Sequence, residues 1–252
     1  MKINIYTYID GVFMDQSVAK RKQHIFLLVL PITLLTLILF SFNELNYIVV
    51  TSFFIFLFFN YHISTNIYHW YWCHKAFVLP KLLEKLFSFL GLFSMVGDPI
   101  SYTHTHRWHH LHSDTEKDPH SPSDGYIHSF FTWMFKQQQI PLFIIKDLLR
   151  PQYQYLRFFS DHQKKIIWFS VIVVLLLNLY IGMGLLLSMV VSFIFDNLTN
   201  VTGHDPKTKQ PKNNYLMTWL QLGTLHGQHH RYPNKFFPNE PGYYTMKLFR
   251  FI

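Results

Sequence analysis

The chain has a single cysteine, Cys73, in 252 residues. It therefore forms no internal disulfide and holds no iron–sulfur cluster by itself. Acidic residues are also scarce, 14 against 22 lysines and arginines, which leaves a net charge of +8 with histidine neutral. No helix-turn-helix or RNA-binding pattern accompanies that charge, so it points to anionic lipid rather than to nucleic acid. The first 23 residues lack the apolar run and small-residue cleavage site of a secretory leader, which predicts that the N-terminus is kept. Internal repeats, low-complexity linkers and composition breaks are missing too. Residues 1–252 are expected to form one integral-membrane domain.

What the chain has in abundance is apolar surface: half of its residues are hydrophobic and 26 are phenylalanine. Ile25 to Phe42 and Tyr47 to Ile63 carry no charge and flank the short polar turn Asn43 to Asn46. Crossing the hydrocarbon takes about 20 apolar residues as a helix, so these runs predict a transmembrane hairpin with spans near 25–42 and 47–66. Ile166 to Phe195 is also uncharged and too long for one span. It is read as a second hairpin, spans near 166–181 and 185–203, turning at Ile181 to Gly184. Leu82 to Val96 and Ile140 to Leu149 are apolar but interrupted by Glu84, Lys85 and Lys146, which suits interfacial or domain-packing helices. Lys20, Arg21 and Lys22 precede the first span and Lys164 and Lys165 the third, while both turns lack Lys and Arg. Both termini and the polar segments are thus expected on the cytoplasmic side. The predicted class is an all-α membrane protein.

Sixteen residues are histidine, and most sit in spaced groups beside these runs. The groups are His69 and His74; His106, His109 and His110; Asn200 and His204; and His226, His229 and His230. A metal needs its ligands on one face, and positions i, i+3 and i+4 of a helix are neighbours. The second and fourth groups fit that rule, as do Asn200 and His204. His69 and His74, five apart, are about 140° apart on an ideal α-helix, so they need a frayed helix end or serve different ions. At this histidine frequency a random H-x-x-H-H arises roughly 0.06 times in such a chain. Two copies are therefore not accidental, and nine imidazoles exceed the coordination of one ion.

Other residues carry less. His24, His62, His128 and His162 are isolated and read as structural, and Cys73 as a small core residue rather than a thiolate ligand. Asp196 is costly in an apolar helix, so it lines the site or a polar cavity, or sits at the headgroup level. Asp114, Glu116 and Asp118 either orient ligating imidazoles or form a solvated loop.

Taken together, these motifs resemble the membrane fatty-acyl desaturases of the stearoyl-CoA (delta-9) type. His69 to His74 is similar to that family's H-x-x-x-x-H box, and His106 to His110 to its H-R-x-H-H box, followed by the D-P-H of Asp118 to His120. His226 to His230 is similar to its H-x-x-H-H box, and Asn200 with His204 to its N-x-x-x-H, which supplies one more ligand and a water-linked asparagine. Order and intervals agree over about residues 20–240.

The resemblance implies four transmembrane helices in two hairpins beneath a cytosolic helical cap holding two irons. The metal residues would be His69, His74, His106, His109, His110, Asn200, His204, His226, His229 and His230, with no catalytic side chain beyond them. It implies O2 as co-substrate, a long saturated acyl chain as substrate, and two electrons from a separate cytochrome b5- or ferredoxin-like donor with its reductase. Related hydroxylation or ketolation of lipid on the same scaffold, and a non-catalytic metal-binding membrane protein, are the rival functions.

Three departures leave the acyl carrier open between a CoA thioester and a lipid ester. His104 and Thr105 stand where the family has an Arg-Asp pair, Lys136 is followed by glutamines where a basic pair is expected after Trp133, and Thr224 replaces a glutamate. Leu225 stands where an aromatic is usual, which bears on packing. Only 22 residues follow His230, which predicts a reduced cap.

Overall fold

The computed structural model describes residues 16–136, 138–220 and 224–248. The polar N-terminal stretch lies outside the described residues as far as residue 15. Helix α1 (Lys20–Phe42) and helix α2 (Tyr47–Cys73) form the expected first hairpin. Asn46 starts α2 by accepting from the amides of Ile48 and Val49 at 3.0 and 3.1 Å. Helix α3 (Lys81–Leu90) is amphipathic and buries Glu84, Phe87 and Ser88. The buried Glu84 carboxylate accepts from Tyr71 Oη at 2.5 Å and from Tyr155 Oη, and pairs with Lys81 at 2.8 Å. Helix α4 (Pro99–His112) begins at a capping box in which Asp98 accepts from the amides of Ile100 and Ser101. Between α4 and the next long helix the chain makes only short helical turns. Ile140 to Leu149, expected as a packing helix, contains one 3-10 turn, Leu142–Ile145.

Helices α5 (Gln154–Leu177) and α6 (Leu179–Thr202) form the second hairpin, but its break lies at Asn178 and not at Ile181 to Gly184. Asn178 is extended, and its side chain accepts from the Ile181 amide at 3.1 Å, restarting the helix. Gly184 lies inside α6, where a Cβ would come within 2.0 Å of Ser52 Oγ and 2.8 Å of the Phe53 amide nitrogen on α2. Close approach of two spans, rather than a turn, explains that glycine. A further tie between them is Asn60 Nδ2, which donates to Ser188 Oγ at 2.8 Å inside the protein.

Helices α1, α2 and α6 are long and apolar enough to cross a membrane. The fourth expected span, in α5, has 12 uncharged residues after Lys165, about 18 Å of helix and shorter than the hydrocarbon. Large apolar side chains such as Phe26, Leu37, Phe54, Phe169 and Leu176 point outward from α1, α2 and α5. Inward, α1, α5 and α6 share a core around Leu28, Ile32, Ile167, Val171, Leu186 and Met189. A second core surrounds the end of α2, with Ile67, Tyr68, Trp70, Leu148 and Leu156.

Beyond α6, a two-stranded antiparallel hairpin, β1 (His204–Asp205) and β2 (Gln210–Pro211), pairs His204 with Pro211. Helices α7 (His226–Arg231) and α8 (Pro241–Leu248) close the described chain.

Candidate metal centre

More than half of α2, from Phe58 onward, departs from the α-helix. It is π-helical over Phe58–Ile63 and again over Thr65–Cys73. Its i→i+5 hydrogen bonds stack residues five apart. His69 and His74, which closes that segment, therefore point the same way, and neither a frayed end nor two ions is needed. Lys75 follows with φ 52° and turns the chain off the helix.

The nine box histidines divide into two groups. His69, His74, His106, His110 and His229 form the first, and His109, His204, His226 and His230 the second, with the ligand atoms of each group within 4.8 Å of one another. Boxes two and three thus straddle both groups, because i+3 and i+4 diverge by one position around the helix. Within the first group the Nε2 atoms of His69 and His229 are 2.8 Å apart, those of His110 and His229 2.8 Å, and those of His74 and His106 3.1 Å. In the second, His204 and His226 stand at 2.8 Å, His226 and His230 at 3.0 Å, and His109 and His230 at 3.2 Å. Metal–imidazole bonds of about 2.1 Å put adjacent ligand nitrogens roughly 3 Å apart and opposite ones roughly 4.2 Å apart. Both groups match that spacing.

His204 reaches the second group from beyond the end of α6, placed by Gly203 and strand β1. The His226 ring lies 2.6 Å from where a Gly203 Cβ would sit, so only glycine fits there. Asn200 shares the smaller cavity with His69, His106, His109 and His226. It lines two cavities beside them, as does Asp196, whose carboxylate accepts from Tyr102 Oη at 3.4 Å.

Two aspartates orient the second group. Asp118 accepts the Nδ1 proton of His109 at 2.8 Å, and Asp114 that of His204 at 2.6 Å, which leaves each Nε2 as a bare lone pair. The loop is itself fixed, since Asp118 also accepts from the amides of Asp114 and His120 at 2.8 and 3.1 Å, and Ser121 donates to Asp114. Glu116 is exposed and takes no part. His109, Asp118 and His120 also lie close enough to be considered together. Asp118, however, already receives three donors, one of them from His109, and acts as an orienting group.

Burial, followed by the neighbouring imidazoles, holds His106, His109, His110, His226, His229 and His230 well below the ordinary histidine range. Burial and then the Arg107 charge push His74 down to about 3. These rings are neutral, which is the metal-binding form.

Several supporting residues escape a reading of the boxes alone. Arg107 donates to the carbonyls of Trp72 and Cys73 at 2.7 and 3.0 Å and forms a bidentate pair with Asp147 at 2.7 and 3.0 Å, tying the end of box one to box two. Burial raises the Asp147 carboxyl, but Arg107 and Lys75 outweigh it and bring it to about 2. Its signal in the sequence was a carboxylate inside an apolar stretch. Where a glutamate was expected before box three, Thr224 donates from Oγ1 to the fully buried Glu240 at 2.6 Å, and the Leu225 amide does so at 3.0 Å. The carboxylate missing from the box is supplied by the C-terminal segment. Cys73 is buried in the core, as expected. Of the isolated histidines, His24 bonds to the Met95 carbonyl, His62 to Thr245 and His162 to the Phe158 carbonyl.

The larger cavity, about 380 Å³, is lined by Lys20, Lys164, Met95, Ile100, Phe193, His106 and Asn200 among others. A smaller one of about 40 Å³ touches both histidine groups. Tyr102, His106, Asp196 and Asn200 line both cavities and mark where they meet.

The sequence profile described as fatty acid desaturase matches residues 45–242, most of the chain and every histidine in both groups. The chain belongs to the fatty acid desaturase family. It is 49% identical over 67 residues to an Arabidopsis thaliana protein described as a chloroplastic palmitoyl-monogalactosyldiacylglycerol delta-7 desaturase, covering 27% of this chain and 18% of that one. With delta-9 acyl-lipid desaturase 1 of the same plant it shares 44% over 68 residues, 27% and 22% of the two chains. With an acyl-CoA 5-desaturase of Anemone leveillei it shares 43% over 77 residues, 31% and 24%. These matches span about a fifth to a quarter of the length of the desaturases concerned.

The orienting carboxylates yield a paired test in a chelator-competition titration with added iron. Asp118→Asn is expected to weaken the affinity on the order of tenfold to a hundredfold. Glu116→Gln should leave it unchanged, and an equal loss in both variants would contradict the assigned role of Asp118.

Proposed function

We propose that the protein is a membrane di-iron fatty-acyl desaturase, converting a –CH2–CH2– unit of a long saturated acyl chain to a cis double bond with O2, two electrons and two protons. The observation that carries this reading is the junction of a long cavity with a small one that touches two groups of inward-facing imidazoles. One iron would be held by His69, His74, His106, His110 and His229, and the other by His109, His204, His226 and His230. Asn200, lining both cavities, is within the same junction and suits a water-linked contact. Bound iron would supply the oxygen activation that no side chain here can perform.

The chain's own part is positioning and exclusion. Neutral, buried imidazoles present lone pairs without a proton to lose, and Asp114 and Asp118 hold two of them in register. Met95, Ile100 and Phe193 give the acyl chain an apolar wall, while Tyr102 and Asp196 meet it at the junction. The two electrons would come from a cytochrome b5- or ferredoxin-like donor with its reductase. Lys20, Lys164 and His106 line one cavity, which supports a place for the histidines on the basic side of the membrane. By the positive-inside rule that side is cytoplasmic.

Lipid analysis of a host expressing the protein tests the reading. A new cis-monoene is expected, and its loss in His229→Ala. A hydroxylated or ketolated lipid in place of the alkene would overturn desaturation in favour of related oxidation, and an unchanged lipid profile would overturn both. Orientation is checked separately with a cysteine at Asn43 in a Cys73→Ser background. Labelling of intact cells from outside is expected, and labelling only from the cytoplasmic side would reverse the topology.

A further inference from the structure

On the face of α5 that lines the larger cavity, Arg157, Ser160, Asp161 and Lys164 recur at helical spacing, and Gln163 lies beside them. Gln163 is only 7% exposed, yet its Nε2 has no hydrogen-bond partner among the described residues. The same is true of Arg157 Nε, although another guanidinium nitrogen of that residue donates to the Leu149 carbonyl. Two enclosed donors without acceptors are costly, and a hydrocarbon chain satisfies neither. The same cavity has apolar wall from Met95, Ile100, Ile145 and Phe193, and it includes His106 and Asn200.

We infer that Gln163 and Arg157 form a subsite for the carbonyl oxygen of the acyl ester, so that the chain enters carrier end at α5 and methylene end toward the histidines. This rests on the fatty-acyl reading above and adds to it the direction of the substrate and the residues that grip it. A neutral amide donor suits a neutral carbonyl, whereas Lys20 and Lys164, nearer the basic end, suit an anionic group next to the ester. A phosphoglyceride offers a carbonyl a few bonds from phosphate, and a CoA thioester offers one set apart from its phosphates by the pantetheine arm. With the carbonyl held at α5, the methylene that meets the junction is counted from the carbonyl end.

The test is equilibrium binding to the full chain in lipid nanodiscs, which requires no turnover. One pair of probes is a palmitoyl phosphoglyceride and its hexadecyl ether analogue. The other is palmitoyl-CoA and its hexadecyl thioether. Wild type is expected to bind the carbonyl-bearing member of at least one pair about three- to tenfold more tightly. The pair that shows this preference identifies the carrier. Gln163→Leu should weaken the carbonyl-bearing probe to the level of its ether while leaving the ether unchanged, which also shows that the variant is folded. If that variant binds neither probe, Gln163→Glu, close in shape but an acceptor, is measured instead and should likewise lose the preference. A preference retained in the variant, or absent from wild type for both carriers, overturns the subsite while the fatty-acyl reading stands. Failure of wild type to bind any of the four probes overturns that reading and the subsite with it.

Discussion

The structure depends on nine mutually facing imidazoles, six of them buried and three half-buried. An isolated buried cation is untenable, so burial selects the uncharged ring. Uncharged rings with lone pairs directed at one another have little reason to converge unless something is to be held between them. Every departure from regular helix nearby serves that convergence: the π-helical end of α2, the positive φ of Lys75, the missing Cβ at Gly203 and the clamped Asp114 to Ser121 loop. Arg107 is the mechanical link, because one guanidinium satisfies the carbonyls that end box one while anchoring box two through Asp147.

The membrane and the site are coupled through α2 and α6. Both helices carry buried polar groups in their inner halves, and both end in a box residue or lead into one. The Asn60 to Ser188 hydrogen bond and the Gly184 contact set their separation, which in turn fixes where His69 and His204 emerge. The larger cavity is lined by the first turns of α1 and α5, by α4 and by the second half of α6, and it includes His106 and Asn200.

Much of this was legible in the sequence because its signals are local. Charge-free runs marked α1, α2 and α6, and H-x-x-H-H spacing marked the faces of α4 and α7. What was not legible involves partners far away in the chain. Gly182 and Gly184 suggested a turn, but Gly184 answers to Ser52 on another helix, and the actual break is made by the side chain of Asn178. A period of 3.6 separates His69 from His74. The π-helix joins them, and the five-residue interval was itself the clue. Asn200 and His204 looked like one helical face, yet His204 lies past the helix end and reaches its group through a strand. The division of boxes two and three between groups could not be read from spacing, since i, i+3 and i+4 are equally compatible with one ion or two. Thr224 looked like a loss until Glu240, 16 positions away, proved to face it.

The central claim is that the nine histidines make two metal positions, split five and four. It is tested most directly by a structure of the iron-loaded protein with anomalous scattering recorded at the iron edge. The account predicts two peaks per chain, one among His69, His74, His106, His110 and His229, the other among His109, His204, His226 and His230. A single peak, or one bound by Asp118 and His120, would contradict it.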